Sequence, residues 1–160
     1  MTVNGNGRDA FQQAFTLYTD TVYRVAVHNT RTTADAEDIT QEVFLRLLES
    51  RKTFRDEEHI KAWLIRVTIN LCKNHLRDTA RVFPEWNLTA EEMPTQSVLD
   101  AVRALPEMQR NAVYLHYYEG YTAREIAEIL GSKTNTVLSH LRRARETLRA
   151  TIGGTDDEML

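Results

Sequence analysis

A chain of 160 residues, 42% hydrophobic and 27% charged, has the make-up of a folded protein of one domain or two small ones. No apolar run approaches the roughly 18 residues that spanning a bilayer demands, and the polar start Met1 to Asp9 lacks the apolar core of a secretory leader, so a cytoplasmic location and no membrane insertion are expected. The single cysteine, Cys72, excludes an internal disulfide and any zinc site built on paired cysteines, while the formal charge of −3 hides an uneven distribution.

Nearly every long segment repeats its apolar residues with a helical period, and none alternates apolar and polar residues as a half-buried strand does. The expected fold is all-α. From Ala10 to Thr30, Phe11, Phe15, Tyr18, Val22 and Val25 form one apolar stripe. A polar turn at Thr30 to Thr33 precedes a second helix, with Asp35, Glu37 and Asp38 near its start, where the helix dipole favours negative charge, and Ala36, Ile39, Val43, Leu47 and Leu48 on its inner side. A third runs from His59 to Leu76 on Ile60, Trp63, Leu64, Val67, Leu71 and Leu76, and is basic on its other side through Lys61, Arg66, Lys73 and Arg77. Cys72 and His75 stand three apart on it, but two ligands do not close a metal site, and the thiol reads as half-buried.

Between Thr79 and Gln96 the period disappears, and Pro84 and Pro94 interrupt any helix. A first domain over 8–80, a linker over 81–96, a second domain over 97–152 and an acidic tail over 153–160 follow. Counted by segment, residues 1–80 hold 11 basic and 11 acidic side chains, 81–96 hold 1 and 3, 97–152 hold 8 and 6, and 153–160 hold 0 and 3. The acidity therefore belongs to linker and tail, and the second domain is net basic, as a nucleic-acid partner requires. Within it, Ser97 to Leu105 resumes a helix, Pro106 suits the first turn of the next, and Ala112, Val113, Leu115 and Tyr118 continue an apolar face.

Thr122 and Glu125 have the spacing of a capping box, Gly131 suits a left-handed exit after Leu130, and Ser132 to Thr134 make a turn. The next helix carries Val137, Leu141, Ala144 and Leu148 on one stripe. Small Ala127, Gly131 and Val137 at these spacings describe a helix-turn-helix. Its second helix would enter a major groove with Asn135, Thr136, Ser139 and His140 toward base edges. Arg142, Arg143, Arg145 and Arg149 would meet phosphates or the domain's own acids. A plain helical hairpin with a solvated basic face is the bland alternative, and His140 fits a surface histidine equally well.

Three stretches together resemble the extracytoplasmic-function (ECF) group of sigma-70-type RNA polymerase sigma factors. Asp35-Ala-Glu-Asp-Ile-Thr-Gln-Glu-Val-Phe-Leu-Arg-Leu47 is similar to the core-binding helix of region 2, and Lys61-Ala-Trp-Leu-Ile-Arg-Val-Thr-Ile-Asn70 to the promoter-melting and minus-ten segment. Leu105-Pro-Glu-Met-Gln-Arg110 with Tyr121 to Leu148 resembles region 4, which binds the minus-thirty-five element. The resemblance implies core RNA polymerase, promoter DNA and an anti-sigma factor as partners, and no enzyme activity. It assigns polymerase binding to Asp38, Gln41, Glu42, Phe44 and Leu45, with Phe44 either anchor or core. It assigns minus-ten DNA to Phe54, Arg55, Trp63, Arg66, Asn70, Lys73, Asn74 and Arg77, with Trp63 either stacking on a base or buried. It assigns minus-thirty-five DNA to Lys133, Thr134, Asn135, Thr136, Ser139, His140, Arg142 and Arg143.

Two departures stand out. Asn135, Leu138 and His140 occupy positions where many members have glycine, lysine and arginine, so no promoter preference carries over; Asp56, Glu57 and Glu58 make the loop before the third helix unusually acidic for one that approaches DNA. A dimeric helix-turn-helix regulator whose first half dimerises or senses a ligand is the competing function. No phosphate-binding loop, metal-ligand set or flanked nucleophile supports an enzyme, and no metal or cofactor is expected.

Overall fold

The computed structural model describes residues 7–82 and 98–152, with the side chains of Gly7, Leu99 and residues 79–82 left aside. Almost all of the expected linker and the whole acidic tail lie outside the described residues. The chain divides into two compact units, Met1–Val82 and Phe83–Leu160, each described by itself.

The first unit is three helices, α1 (Gly7–Asn29), α2 (Thr33–Glu49) and α3 (Glu57–Val82), and α1 packs on both others. Thr32 caps α2 by accepting the Asp35 N–H at 3.1 Å, and Asp56 caps α3 by accepting the His59 N–H at 2.9 Å. His59 returns a bond at the same end, its Nδ1 accepting the Arg55 N–H at 3.0 Å. α3 runs six residues past the periodic stretch that ends at Leu76, because Arg77 to Val82 include no helix breaker and Pro84 disfavours helix only from Phe83 onward.

Val22, Ala26, Val43, Leu47, Ile60 and Leu64 meet in the core of this unit. Three of its buried polar side chains are satisfied within their own helices: Thr40 donates to the Ala36 carbonyl, Thr68 to that of Leu64 and Asn29 to that of Val25, at 2.6–2.8 Å. Tyr18 ties α1 to the start of α3 by donating to the Glu57 carbonyl at 3.3 Å. Burial first, then the Glu57, Glu58 and Asp56 carboxylates, push its phenol above the usual value, so the hydroxyl keeps the proton it donates. Two residues of the expected stripes lie outside the core. Phe15 is 45% exposed, leaning edge-on to Phe44, and Leu48 is 46% exposed, since α1 and α3 cover only the side of α2 that carries Ala36, Val43 and Leu47.

The second unit begins with α4 (Val98–Arg103) and α5 (Glu107–Val113). Pro106 is the cap before α5 rather than its first residue. Beyond Val113 the helix widens into a π turn over Tyr114–Tyr118, closed by Glu119 N–H to the Tyr114 carbonyl at 3.2 Å. The wider turn sets the following residues back in rotation, which corrects the placing of Tyr118 on the apolar face: it is 64% exposed and stacks on Tyr114 at 5.2 Å.

Then come α6 (Ala123–Leu130) and α7 (Thr134–Ile152). Both halves of the capping box form at Thr122 and Glu125, at 3.1 and 3.2 Å. Gly131 takes φ +64°, and Ser132 N–H bonds back to the Ala127 carbonyl at 2.8 Å, the closure of a Schellman exit. The turn is one residue shorter than the sequence implies, since Thr134 is already helical. A methyl at Gly131 meets nothing within 4 Å, so the penalty is backbone strain alone. Gly131→Ala should therefore lower the unfolding free energy by about 1–2 kcal/mol, read from urea melts, with Gly131→Asn falling less.

Candidate nucleic-acid and protein interfaces

Three exposed faces gather the candidate residues, two in the first unit and one in the second. On α2, Asp38, Gln41, Leu45 and Leu48 recur at intervals of three, four and three, and all are exposed. Leu45, 51% exposed, lies opposite the buried stripe, with Glu42 beside it. Glu42 is held along the helix by Arg46 at 3.2 Å, a solvent-screened pair of little energetic weight. Of the two places left open for Phe44, the structure gives the core: it is 3% exposed and packed edge-on to Phe11 and Phe15 at 6.4 and 5.0 Å. The neighbouring groove, about 330 Å³, runs between α1 and α2 past Phe15, Tyr23, Thr40 and Gln41. Phe15 thus joins this face, although its spacing on α1 matches the core stripe.

On α3, Arg66, Asn70, Lys73 and Arg77 recur at intervals of four, three and four, all exposed, with Asn74 beside Lys73. Trp63, one turn ahead of Arg66, heads the row and is half-buried. A ring edge followed by cations and amides on one helix face is what an unstacked base and its backbone require. Phe54 is not part of that wall. It is fully buried, edge-on to Trp63 at 5.6 Å and to His59 at 5.3 Å, and so props the indole from behind, while Arg55 is exposed. Two of the three acidic residues 56–58 have structural partners: Asp56 caps α3, Glu57 Oε1 accepts from Gln13 at 2.7 Å, and the Glu57 carbonyl holds Tyr18. His75 pairs with Asp35 at 3.4 Å, and Cys72, expected half-buried, is 1% exposed in the core of the unit.

Lys133, just before α7, Thr134, Asn135 and Thr136 in its first turn, and Arg142 and Arg143 at its middle are all exposed, and the first turn carries no acid. Ser139 and His140 are half-buried, and the His140 Nδ1 is shielded and unpartnered. Val137, Leu141, Ala144 and Leu148 are within 2% of complete burial. Arg145 turns toward its own unit and donates to the Tyr117 hydroxyl at 2.8 Å. Leu138, assigned no role from sequence, is 50% exposed on this surface; its position outside the 137–141–144–148 stripe was the signal.

A three-helix unit together with a second unit ending in a capped helix-turn-helix of basic, solvent-facing second helix defines a DNA-binding protein of the helix-turn-helix class. Residues 14–82 match the family model for sigma-70 region 2, and residues 95–148 match that for sigma-70 region 4. The chain is 31% identical over 154 residues to the ECF RNA polymerase sigma factor SigM of Mycobacterium tuberculosis, covering 91% of this chain and 79% of that one. It is 28% identical over 173 residues to SigW of Bacillus subtilis, covering 92% and 91%. Its fold is similar to that of the sigma factor RpoE from Bartonella quintana, solved with the anti-sigma factor NepR, at a TM-score of 0.76 and 22% identity over 91% of this chain and 98% of that one.

The chain belongs to the ECF group of the sigma-70 family of RNA polymerase sigma factors. It is a transcription initiation factor, and the reading as a dimeric regulator gives way to that membership, since region 2 is matched as well as the DNA-binding half. Among the described residues no helix is long and apolar enough to cross a membrane.

Proposed function

We propose that the α2 face clasps core RNA polymerase, the α3 row opens and reads minus-ten DNA, and the α7 face reads the minus-thirty-five duplex. The chain then works by binding and positioning, without chemistry of its own, in the cytoplasm where polymerase acts. The observation that carries this reading is the α3 row, in which Trp63 leads Arg66, Asn70, Lys73 and Arg77 along a single face. Duplex readers need cations alone for phosphate contact, whereas captured single strands call for a ring as well.

On α2 the active pattern is an exposed leucine set among Asp38, Gln41 and Glu42, an apolar anchor inside an acidic and amide rim that complements a basic helical partner. Leu45→Asp is expected to weaken binding to core polymerase about tenfold or more with the melting temperature unchanged, measured by fluorescence titration against core enzyme. Exposed polymerase-binding and DNA-binding faces also invite masking. RpoE of Bartonella quintana was solved with its anti-sigma factor, and we propose that a similar protein partner restrains this chain. Transcription in vitro with core polymerase and a library of candidate promoters tests the whole: start sites that depend on this chain support it, and none from any template overturns it.

A further inference from the structure

The surface of α7 carries one residue that phosphate and hydrogen-bond reading leave unused. Leu138 is the fifth residue of α7, one turn beyond Asn135 and one turn before Arg142, with Ser139 next to it. It is 50% exposed, whereas its neighbours Val137 and Leu141 are 0% and 2% exposed, so the core makes no use of it. Around it the surface is polar and cationic, with Lys133, Arg142 and Arg143 exposed and no acid in the first turn of α7, which matches polyanionic DNA better than a second apolar face. Within a major groove, a branched aliphatic side chain between an amide and a guanidinium has one natural counterpart, the C5-methyl of thymine. The other bases offer no such methyl: cytosine and adenine present an amino group that leucine cannot accept from, and guanine presents two acceptors that it cannot satisfy.

We propose that Leu138 sets the base preference of this chain by packing on a thymine methyl in the minus-thirty-five duplex. The proposal rests on α7 being the groove-entering helix. Asn135 and Arg142, on either side along the helix, then fix the register with polar contacts, and Leu138 excludes water from the base edge between them.

The test uses holoenzyme reconstituted from the full chain and core polymerase, selecting duplexes from a pool randomised across the minus-thirty-five element. A thymine should be enriched at one position, and replacing it with deoxyuridine, which removes only the methyl, should weaken binding about fourfold. Leu138→Ala should bind the thymine and deoxyuridine duplexes equally, and Leu138→Arg should move the selected base at that position to guanine. Both variants should melt as the parent does, because the side chain is outside the core.

Equal binding of thymine and deoxyuridine by the parent at every selected thymine overturns the proposal, as does a Leu138→Ala variant that keeps the parent's ratio. A Leu138→Ala variant with unchanged sequence selection and weakened polymerase affinity also overturns it, assigning the leucine to a protein contact. Failure of the underlying reading looks different. The parent then enriches no sequence, or the enriched sequence is indifferent to Asn135→Ala and Arg142→Ala as well.

Discussion

Phe54→Ala is expected to remove about 3–5 kcal/mol from the stability of the first unit, the range for emptying a fully buried aromatic site. The ring is at 0% exposure, edge-on to both Trp63 and His59. Its loss leaves a cavity behind the indole and loosens the junction where Asp56 and His59 hold the start of α3. Urea denaturation followed by Trp fluorescence reads the loss. Promoter opening should fall with it, and the comparison with Arg66→Ala and Lys73→Ala separates the two causes. Those side chains are exposed, so their variants should stay within about 0.5 kcal/mol of the parent while open-complex formation weakens. An alanine at 54 that melts like the parent yet fails to open promoters returns Phe54 to the DNA-contacting set.

Leu148→Ala carries the second large effect, about 2–5 kcal/mol in the second unit. α7 packs on α4, α5 and α6, so its buried stripe is the keel of that unit, and Leu148 is at 0% exposure. The residue lies twelve positions beyond Thr136, far from the end of α7 proposed to read DNA, so no direct contact explains a change in DNA affinity. The expected result is nevertheless weaker minus-thirty-five binding near the melting temperature of the variant. Recognition needs α7 rigid against α6, and a loosened keel lowers the populated fraction of the competent form. Binding at low temperature, where the variant remains folded, should recover most of the parent's affinity. Affinity that is lost equally at every temperature indicates a contact in place of a keel.

Much of the architecture is readable from local signals. The capping box at Thr122 and Glu125, the left-handed Gly131 and the 137–141–144–148 stripe each depend on residues a few positions apart, and each forms as the spacing implies. The basic row on α3 is likewise legible, because four, three and four is a property of the sequence alone. Less legible are the residues at the flanks of stripes. Phe15 and Leu48 satisfy the same period as their buried neighbours yet face solvent, and Phe44 and Phe54 carry the aromatic chemistry of contact residues yet are core. The π turn at Tyr114–Tyr118 shifts Tyr118 outward without a proline or glycine inside it to announce the change.

By itself the sequence determined the all-α character, the helix-turn-helix with its caps, and the resemblance to the sigma family, since period, capping and turn chemistry act within a single turn of helix. Only the tertiary structure decided which aromatic and aliphatic side chains are available to a partner. A residue 90° from the centre of a buried stripe is covered or bare according to how far the neighbouring helix reaches. Phe44 is enclosed because α1 sets Phe11 and Phe15 against it, whereas Leu138 stays 50% exposed on α7.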